Sequence, residues 1–378
     1  MKYMGSKRVM LANGLGDVLA EESKSAARFV DLFCGTGVVS WFMATRSELP
    51  VLSCDLQSFA TTMAASVVKR TDNSGLDQEI DSWLRRVRET REERPGWSEA
   101  AELDGSKVPI AVWWKEAREL CGEAGSEGCG LVWRNYGGHY FSPTQAASLD
   151  AMMETLPAEG RARDVCLAAT ITTASQCAAA PGHTAQPFKA TTTAGPYLRE
   201  AWCRDPLSRV REAAEILVSM CALRRGDTKT GDANEIAREV TEEDLVFVDP
   251  PYSDVQYSRF YHVLETIARG ECGVVSGVGR YPPFTERPAS DYSRVKASAT
   301  AMANLLEILA STGAAVVVTF PEQQCSNGLS GLRIEEMAKQ HFQVVKRTVT
   351  SRFSTLGGNT RNRDARSIRN ELILVMRT

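Results

Sequence analysis

The sequence predicts an α/β protein in which a doubly wound sheet is interrupted by a mostly helical insertion. Two observations support this prediction: short apolar runs rich in β-branched residues, typical of parallel strands covered on both faces, and helical patterns that separate these runs. The strand candidates are residues 27–33, 51–54, 245–248, 314–320 and 372–376. The helix candidates are residues 36–47, 59–70, 256–269, 292–311 and 334–341. A regular alternation of this kind is typical of a doubly wound domain.

The segment from about residue 72 to residue 205 does not follow this alternation. It begins with charge-rich helical sequence. Ser142-Pro143 marks a later helix start, because serine caps helix N-termini and proline suits the first helical position. We therefore predict an α/β domain of residues 1–71 and 206–378 and a helical insertion of residues 72–205. An aromatic patch inside the insertion consists of Trp133, Tyr136, Tyr140 and Phe141.

The composition is typical of a folded protein. Its 378 residues are 43% hydrophobic, which suffices for a sizeable core, and 24% charged. No apolar run approaches the roughly 18 residues of a membrane span, and no apolar signal segment follows Met1, so we expect a cytoplasmic protein that does not contact membranes. The 10 cysteines include no Cys-x-x-Cys pair, which favours free thiols over a zinc site.

The charge distribution leaves a nucleic-acid partner open. The net charge is only −3, but a local basic surface is sufficient for binding. An arginine-rich stretch at residues 85–94 is interleaved with glutamates, which indicates a solvated helix face. A second stretch lies in a Gly/Asn-rich segment and is the better candidate for phosphate contacts, an ordinary loop being the alternative. Its arginines are Arg352, Arg361, Arg363, Arg366 and Arg369.

A glycine turn follows the first predicted strand, in the stretch Asp31-Leu32-Phe33-Cys34-Gly35-Thr36-Gly37. Glycines let the backbone approach a ligand at a topological switch point, and the helix that follows offers free N–H groups to an anion. Ser40 stands where the dinucleotide fingerprint has its third glycine. The motif alone is therefore a weak indication of ligand binding.

An acidic residue, Asp55, ends the next predicted strand, 18 positions after Gly37. A carboxylate at this place can accept hydrogen bonds from both hydroxyls of a ribose. The alternative is a structural aspartate that caps a helix or a turn.

The element Asp249-Pro250-Pro251-Tyr252 follows directly after the predicted strand at 245–248. Two prolines fix the backbone and remove two N–H donors, so the carbonyls before and between them become rigid acceptors beside a carboxylate. Asp249 and the Pro250 carbonyl can accept the two N–H bonds of an exocyclic amine, and its lone pair then turns toward an electrophile. Tyr252 can stack on a purine, and Phe33 and Tyr252 together could enclose a base or part of a cofactor. The alternative is an ordinary Pro-Pro loop.

In chain order, these elements resemble the adenine-N6 DNA methyltransferases of the D12 class, of the Dam-like, α-group and FokI type. The stretch from Lys2 to Lys7 looks like that family's N-terminal element, which packs over the methyl donor. Gly231-Asp232-Ala233 looks like the element whose Asp contacts the cofactor adenine, and residues 256–262 look like an extension of the FokI type. The α-group order places target recognition where the helical insertion is predicted. The recognised DNA sequence cannot be carried over.

The resemblance implies a Rossmann-like methyltransferase fold with a doubly wound mixed sheet, S-adenosyl-L-methionine as methyl donor and no metal. The implied substrate is double-stranded DNA, with the adenine flipped out because N6 is buried in the stack. A cognate restriction endonuclease is a further partner that the sequence leaves open. The implied catalytic residues are Asp249, Pro250, Pro251 and Tyr252. The implied cofactor-binding residues are Tyr3, Met4, Lys7, Asp31, Phe33, Cys34, Gly35, Thr36, Gly37, Asp55, Leu56, Asp232, Ala233 and Asp249, with Lys7 meeting the methionine carboxylate or a phosphate.

The expected DNA contacts come from three places. Tyr257, Tyr261 and His262 fall near one face of a predicted helix and are interpreted as DNA-binding, with core packing of the two tyrosines as the alternative. Arg352, Arg361 and Arg363 are expected to meet phosphates. Contacts that read the target sequence are expected from Trp133, Arg134, Tyr136 and His139.

Other functions explain the residues less well. A cytosine-N4 methyltransferase performs the same chemistry but usually has Ser where Asp249 stands, and protein-glutamine or RNA methyltransferases usually have Asn. A non-catalytic DNA-binding protein would be expected to have lost Asp249 or a cofactor glycine. A dehydrogenase would leave the Pro-Pro element unexplained.

Overall fold

The structure is a computed structural model that describes residues 7–122, 129–354 and 366–378. The described chain forms two compact units. The sheet unit contains residues 7–71, Cys221–Tyr257 and Ala289–Thr378, and the helical unit contains Asp72–Met220 and Ser258–Pro288. The helical unit thus begins near the expected residue 72 but extends beyond residue 205. It also takes in a second segment, Ser258–Pro288, which follows the Asp-Pro-Pro-Tyr element in the chain.

Within the described residues, seven strands form one mixed sheet in the order β3-β2-β1-β4-β5-β7-β6. Strands β1 to β5 are parallel, and β7 pairs antiparallel with both β5 and β6. The strands are β1 (Arg28–Asp31), β2 (Val51–Asp55), β3 (Asp227–Thr230), β4 (Asp244–Val248), β5 (Ala315–Pro321), β6 (Gln343–Ser354) and β7 (Arg366–Arg377). The α/β fold with a mixed sheet is confirmed.

The strand predictions were right in place but not always in direction. The run at 372–376 was expected to be a parallel strand, and it lies in the antiparallel strand β7. Its apolar composition arises because β7 is an interior strand between β5 and β6, whichever direction it runs. Strands β3 and β6 were missed, because they lie at the two edges of the sheet and carry polar residues, without the apolar run of a buried strand.

Helices flank the strands and make up most of the helical unit. They are α1 (Arg8–Met10), α2 (Gly16–Glu22), α3 (Val38–Arg46), α4 (Ser58–Val68), α5 (Leu76–Glu92), α6 (Trp97–Gly105), α7 (Ile110–Gly122), α8 (Leu131–Tyr136), α9 (Pro143–Glu154), α10 (Arg161–Cys177), α11 (Gly195–Trp202), α12 (Pro206–Val218), α13 (Ala233–Ile236), α14 (Tyr257–Arg269), α15 (Ser298–Thr312) and α16 (Gly331–Ala338). A π-helical turn (Leu11–Leu15) joins α1 to α2, and short 3-10 turns cover Ser23–Ser25, Ala237–Glu239, Phe284–Glu286 and Asp291–Ser293. None of these helices is long and apolar enough to cross a membrane.

The core of the sheet unit is built from the central strands. Val30, Val246 and Val316 are fully buried on three neighbouring strands, and the leucines of α15 pack against the same cluster. Burying one such side chain stabilises the fold by about 1.5–3 kcal/mol. Because the parallel strands are fixed by this core, their carboxyl ends form a rigid edge on which loop residues can be positioned.

The helical unit has its own core and its own local signals. Trp113 and Trp202 meet edge to face with ring centroids 5.2 Å apart. Helix α9 begins with a capping box, in which the Ser142 side chain accepts from Gln145 N while the Gln145 side chain accepts from Ser142 N. The predicted helix start at Ser142-Pro143 is therefore confirmed.

Candidate active site

The carboxyl edge of the parallel strands brings the glycine turn and the Asp-Pro-Pro-Tyr element together. In the register of β1 and β4, Asp31 lies opposite Phe247. The glycine turn follows Asp31, and Asp249 lies two positions after Phe247, so both leave the same edge of the sheet. This is the place where ligands bind in open α/β sheets.

The glycine turn has a backbone that only glycine adopts without strain. Gly35 and Gly37 have φ values of 51° and 76°. A Cβ at Gly37 would also lie 2.9 Å from the Trp41 ring nitrogen and 3.1 Å from the Cα of Ala64, because α3 packs closely on α4. Gly37 is therefore required both by backbone conformation and by packing, as the motif predicts.

Asp55 closes the glycine turn from the neighbouring strand. Its Oδ2 accepts a hydrogen bond from Gly35 N at 3.0 Å, and its Oδ1 accepts one from Gln57 N at 3.0 Å. Among the described residues, the buried Oε1 of Gln57 has no hydrogen-bond partner. A carboxylate beside an orphaned amide oxygen suits a ligand that donates hydrogen bonds, as ribose hydroxyls do.

Asp31 is a buried acid beneath the glycine turn. It accepts hydrogen bonds from Ser40 Oγ at 2.7 Å and from Phe33 N at 3.3 Å, and burial raises its pKa to about 7. Ser40 occupies the place of the missing third glycine, so this departure from the dinucleotide fingerprint supplies a partner for Asp31.

A second group of side chains lies beyond β3. Asp232 caps α13 by accepting a hydrogen bond from Asn234 N, and Asn234 in turn accepts from the Tyr292 hydroxyl at 2.6 Å. The Tyr292 ring meets the Phe33 ring edge to face, with centroids 5.1 Å apart. Phe33, Asp232 and Ala233 thus belong to one neighbourhood, which the resemblance assigns to the cofactor. Tyr292 was not expected from the sequence.

Asp249 lies in a cluster of charges at the end of β4. Lys7 Nζ is 3.0 Å from Asp249 Oδ1 and also contacts the carboxylate of Glu371, which is buried on β7. The hydroxyl of Thr319 donates to the same Asp249 oxygen at 2.9 Å. Among the described residues, both polar contacts of Asp249 therefore reach Oδ1, and Oδ2 is the oxygen that can accept a substrate N–H.

The protonation of this cluster follows from burial and from mutual attraction. Burial and the Glu371 carboxylate raise the pKa of Asp249 to about 6, against the opposing effects of Lys7 and Thr319. Burial would lower the pKa of Lys7, but the two carboxylates outweigh it and raise that pKa above its ordinary value. At neutral pH, Asp249 is therefore mainly ionised beside a charged ammonium.

The rest of the tetrapeptide is held from the loop that follows β5. The buried Asn327 side chain donates to the carbonyl of Pro251 at 2.8 Å and to the carbonyl of Tyr292 at 3.0 Å. Tyr252 meets the Phe320 ring edge to face, with centroids 6.4 Å apart. The expected enclosure of a ligand by Phe33 and Tyr252 stays a prediction, since each ring packs on a different aromatic neighbour here.

Besides Tyr292, sequence reasoning missed three residues around Asp249-Pro250-Pro251-Tyr252: Thr319, Asn327 and Glu371. Glu371 left a signal, because it is a single acid at the start of the apolar run 372–376. A charged residue is rarely buried without a partner, so this position could have been recognised as part of a site. Asn327 gave no comparable signal.

Several expected DNA contacts prove to be core residues of the helical unit. Tyr261 and His262 are 0% and 1% exposed, and the His262 ring packs within 4.9–5.9 Å of three tyrosine rings. Trp133 and Tyr136 are buried as well. Their burial favours core packing over the expected DNA contacts, because an aromatic patch packs as readily into a core as onto a ligand. Tyr257 and His139 are half-buried, and Arg134 is exposed.

Some expected site residues lie outside the described residues, namely Tyr3, Met4, Arg361 and Arg363. Arg352 lies in strand β6, opposite Ile368 of β7. All 10 cysteines are unpaired thiols, and Cys34 at the glycine turn is buried, which raises its pKa well above the ordinary value. Within the described ranges, no group of histidine, cysteine and acidic residues is arranged to hold a metal ion.

Comparison with known proteins agrees with this geometry. A family model described as D12 class N6 adenine-specific DNA methyltransferase matches residues 3–278. The modification methylase LlaI of Lactococcus lactis subsp. lactis is 25% identical over 281 residues, which cover 71% of this chain and 38% of that protein. The type II methyltransferase M.FokI of Planomicrobium okeanokoites is 26% identical over 317 residues, or 81% of this chain and 42% of that protein.

The modification methylase StsI of Streptococcus sanguinis is 33% identical over a shorter stretch of 81 residues, covering 21% of this chain and 12% of that protein. The chain thus spans less than half the length of each of these relatives. The family match covers most of the chain, and its range includes the glycine turn, Asp55 and the Asp-Pro-Pro-Tyr element. By this match, and by the site that the sheet assembles, the chain belongs to the D12 class N6 adenine-specific DNA methyltransferase family.

Proposed function

We propose that this protein transfers a methyl group from S-adenosyl-L-methionine to the exocyclic N6 of an adenine in double-stranded DNA. The observation that carries the proposal is the position of Asp249. Its carboxylate is held at the carboxyl edge of the sheet, with Oδ1 engaged by Lys7 and Thr319. It stands beside the glycine turn that follows Asp31 on the neighbouring strand.

The residues that would hold the cofactor fit it in chemical type. Asp55 and the orphaned Gln57 oxygen offer acceptors for ribose hydroxyls, and the Phe33 ring and Asp232 offer a face and an acceptor for adenine. Lys7 is already engaged by two carboxylates, so an additional contact of Lys7 with the cofactor carboxylate is the least supported part of the assignment. When bound, the cofactor supplies an electrophilic methyl group on a sulfonium.

The chain's own residues would prepare the amine for attack. Asp249 Oδ2 and the Pro250 carbonyl would each accept one N–H bond of the adenine amine. These bonds withdraw the nitrogen lone pair from the ring and stabilise the positive charge that develops on it. The two acceptors would keep their positions during the reaction, because the prolines and Asn327 fix the backbone that carries them. Tyr252 would stack on the flipped base, and flipping costs a few kcal/mol.

The helical unit would carry target recognition, within the residues 72–205 expected for it. Three features support this: the segment folds as part of a separate compact unit, it interrupts the chain between two strands of the sheet, and its position is that of target recognition in the α-group order. Exchange of this block with that of a relative of different specificity should change the methylated sequence. An unchanged sequence in a folded, active chimera would contradict the assignment.

A two-stranded ribbon would add contacts with the DNA backbone. The pairing of β7 with β5 ends at Glu371, but the pairing of β6 with β7 continues to Ser354 and Arg366. The ribbon therefore extends past the sheet at the same edge as Asp249. Arg352 and Arg366 both lie in this extension, where their backbone partners are Ile368 and Ser354. A two-stranded ribbon fits the major groove of DNA, and arginines favour phosphates.

Removal of these arginines should weaken DNA binding at any sequence. In the Arg352→Ala and Arg366→Ala double variant, the slope of log affinity against log salt concentration should fall by about 1 for each phosphate that is no longer neutralised. Arg347→Ala is the matched control, because Arg347 is exposed on β6 opposite Ile373, within the sheet. If the slope of log affinity against log salt concentration is the same for the double variant and for the control, the ribbon does not contact the DNA backbone.

The experiment that tests the function is methylation of bacterial genomic DNA that lacks adenine methylation. Purified protein, S-adenosyl-L-methionine and this DNA should give N6-methyladenine at a defined sequence, detected by long-read sequencing. Asp249→Ala should abolish the signal while far-UV circular dichroism stays unchanged. Full methylation by Asp249→Ala would refute the mechanism, and N4-methylcytosine in place of N6-methyladenine would reassign the substrate. The names of the relatives, modification methylase and type II methyltransferase, make a role beside a restriction endonuclease part of the proposal.

A further inference from the structure

Glu371 and Lys7 form a buried pair behind the acid that the proposed reaction uses. Glu371 is 3% exposed and Lys7 is 5% exposed. The two residues approach Asp249 from different elements. Lys7 directly precedes α1, and Glu371 lies on β7, where it pairs with Pro321 at the end of β5. Three parts of the chain that are distant in sequence thus meet at one ammonium group.

The pair has a cost that packing alone does not explain. Each buried ion loses several kcal/mol of hydration, and an apolar pair of similar volume is often as stable or more stable. Lys7 is also shared between two carboxylates, those of Asp249 and Glu371. The burial of this pair therefore calls for an explanation other than packing.

The geometry around Asp249 offers an explanation. Lys7 and Thr319 both hold Asp249 Oδ1, so the carboxylate is fixed in rotation and Oδ2 is presented as the acceptor. The positive charge of Lys7 lowers the pKa of Asp249 against the effect of burial, and the negative charge of Glu371 raises it. An ionised carboxylate is a stronger hydrogen-bond acceptor than a neutral one.

We propose that Lys7 and Glu371 are positioning residues with opposite effects on Asp249. Lys7 orients the Asp249 carboxylate and favours its ionised form, and Glu371 weakens the attraction between Lys7 and Asp249 by binding the same ammonium group. This inference rests on the proposed function for its consequence in catalysis. Its electrostatic part is a property of the protein alone. Among the described residues, Asp31 on the neighbouring strand β1 also interacts electrostatically with Asp249.

The inference predicts opposite shifts in two variants. Asp249 must be ionised to accept an N–H bond, so activity should fall as pH drops through the Asp249 pKa, which burial raises to about 6. Glu371→Gln removes a negative charge, so the acid limb of the kcat profile should move to lower pH, by about one unit. Lys7→Met removes the positive charge, so the limb should move to higher pH, with kcat at neutral pH reduced about 10- to 100-fold.

Two further variants separate positioning from general damage. Lys7→Arg keeps the charge and should restore most of the kcat that Lys7→Met loses, whether or not Lys7→Met is fully stable. Glu22→Gln is the matched control, because Glu22 is also buried and bound to a cation of β7, Arg377, away from Asp249. Glu22→Gln should leave the acid limb in place. KM for DNA should change little in all four variants.

The decisive experiment measures Asp249 directly and needs no activity. Wild type, Glu371→Gln, Lys7→Met and Lys7→Arg are labelled with carboxyl-13C aspartate, and the Asp249 signal, assigned by its loss in Asp249→Asn, is titrated with pH. Opposite displacement of the titration midpoint in Glu371→Gln and Lys7→Met is expected. No displacement, or displacement in the same direction, would overturn the inference. Wild type that titrates as expected but methylates no DNA would instead refute the proposed function.

Discussion

Two aspartates five residues apart differ in how their carboxylate oxygens are engaged, and we interpret one as structural and the other as functional. Asp244 begins β4 at the amino edge of the sheet, and Asp249 follows its carboxyl end. Both oxygens of Asp244 are engaged: Arg28 donates to Oδ1 at 2.8 Å and to Oδ2 at 2.7 Å, and Thr241 N donates to Oδ2 at 2.8 Å. Asp249 has contacts from described residues at Oδ1 only.

The two sites are otherwise closely matched. Both acids are mostly buried, and both have a cationic partner in an ion pair. Burial and an ion pair therefore do not identify a catalytic acid. Within the part of the chain that the structure describes, Asp249 differs in that its partners engage only one oxygen, at the edge where the parallel strands end. Variants at the two edges of the sheet can test this distinction.

The largest expected difference is in methylation after the same isosteric change. Asp249→Asn should lower kcat about 10²- to 10³-fold, because one acceptor of the amine N–H becomes neutral and can present a donor instead. Asp244→Asn should leave kcat of the folded protein unchanged and instead lower the free energy of unfolding by about 1–3 kcal/mol. Kinetics and urea unfolding on both variants check this. Comparable kcat losses in the two would break the comparison.

Next in size is the effect of pH on stability through Asp31, the other buried acid at the carboxyl edge. Its pKa of about 7 in the folded protein exceeds the ordinary value of 3.8, so the folded state binds the proton more tightly than the unfolded state. The contribution of Asp31 to stability is therefore full below the unfolded pKa and is lost as pH rises toward 7. In wild type, this effect should lower the free energy of unfolding by up to about 2 kcal/mol between pH 5 and pH 7, and Asp31→Asn should abolish that decrease.

Urea unfolding at several pH values measures that dependence. Asp244→Asn provides the comparison at the other edge of the sheet. If the free energy of unfolding of Asp31→Asn changes between pH 5 and pH 7 as much as that of wild type, a different acid titrates in this range.

A smaller effect is expected from the hydroxyl that orients Asp249. Thr319→Val removes one hydrogen bond to Oδ1 and keeps the side-chain shape, so kcat should fall about 5- to 10-fold, equivalent to roughly 1 kcal/mol. Thr170→Val in α10 is a control, because Thr170 is buried and its hydroxyl donates to a helix carbonyl. Steady-state kinetics should show loss only for Thr319→Val, and an unchanged kcat there would mean that Lys7 orients Asp249 alone.

The smallest effect is expected at the amino edge. Arg28→Lys keeps the charge beside Asp244 but cannot make the two-pronged contact, so the free energy of unfolding should fall by about 0.5–1 kcal/mol with no change in kcat. Thermal unfolding and kinetics together test this. A decrease in kcat would show that the amino edge is coupled to the reaction, and Asp244 would then not be a purely structural carboxylate.

The sequence predicted the parts of the fold that depend on short-range patterns. The buried strands were visible because both of their faces are covered, and the helix start at Ser142 was visible because capping is local. The polar edge strands β3 and β6 were not visible in the sequence, because a strand that pairs on one side only is less buried and can carry almost any residue. The direction of β7 was also not predictable, because it depends on which strands it pairs with.

The same division holds in the site. Gly35, Gly37, Asp55 and Asp249 were expected from motifs, and the structure places all four at the carboxyl edge of the parallel strands. For the aromatic residues of the helical unit, the sequence could not separate a binding patch from a core, because His262 and its tyrosine neighbours have a composition that suits both and only the structure shows that they are buried.

By itself, the sequence determined the α/β class, the glycine turn and the acid locked by two prolines. These depend on backbone conformations and periodicities that neighbouring residues impose. Only the tertiary structure decided that Lys7 and Glu371 meet at Asp249, because they are 364 positions apart and come together through strand pairing. Whether a carboxylate keeps an open oxygen depends on partners that the rest of the chain supplies, so no local pattern could reveal it.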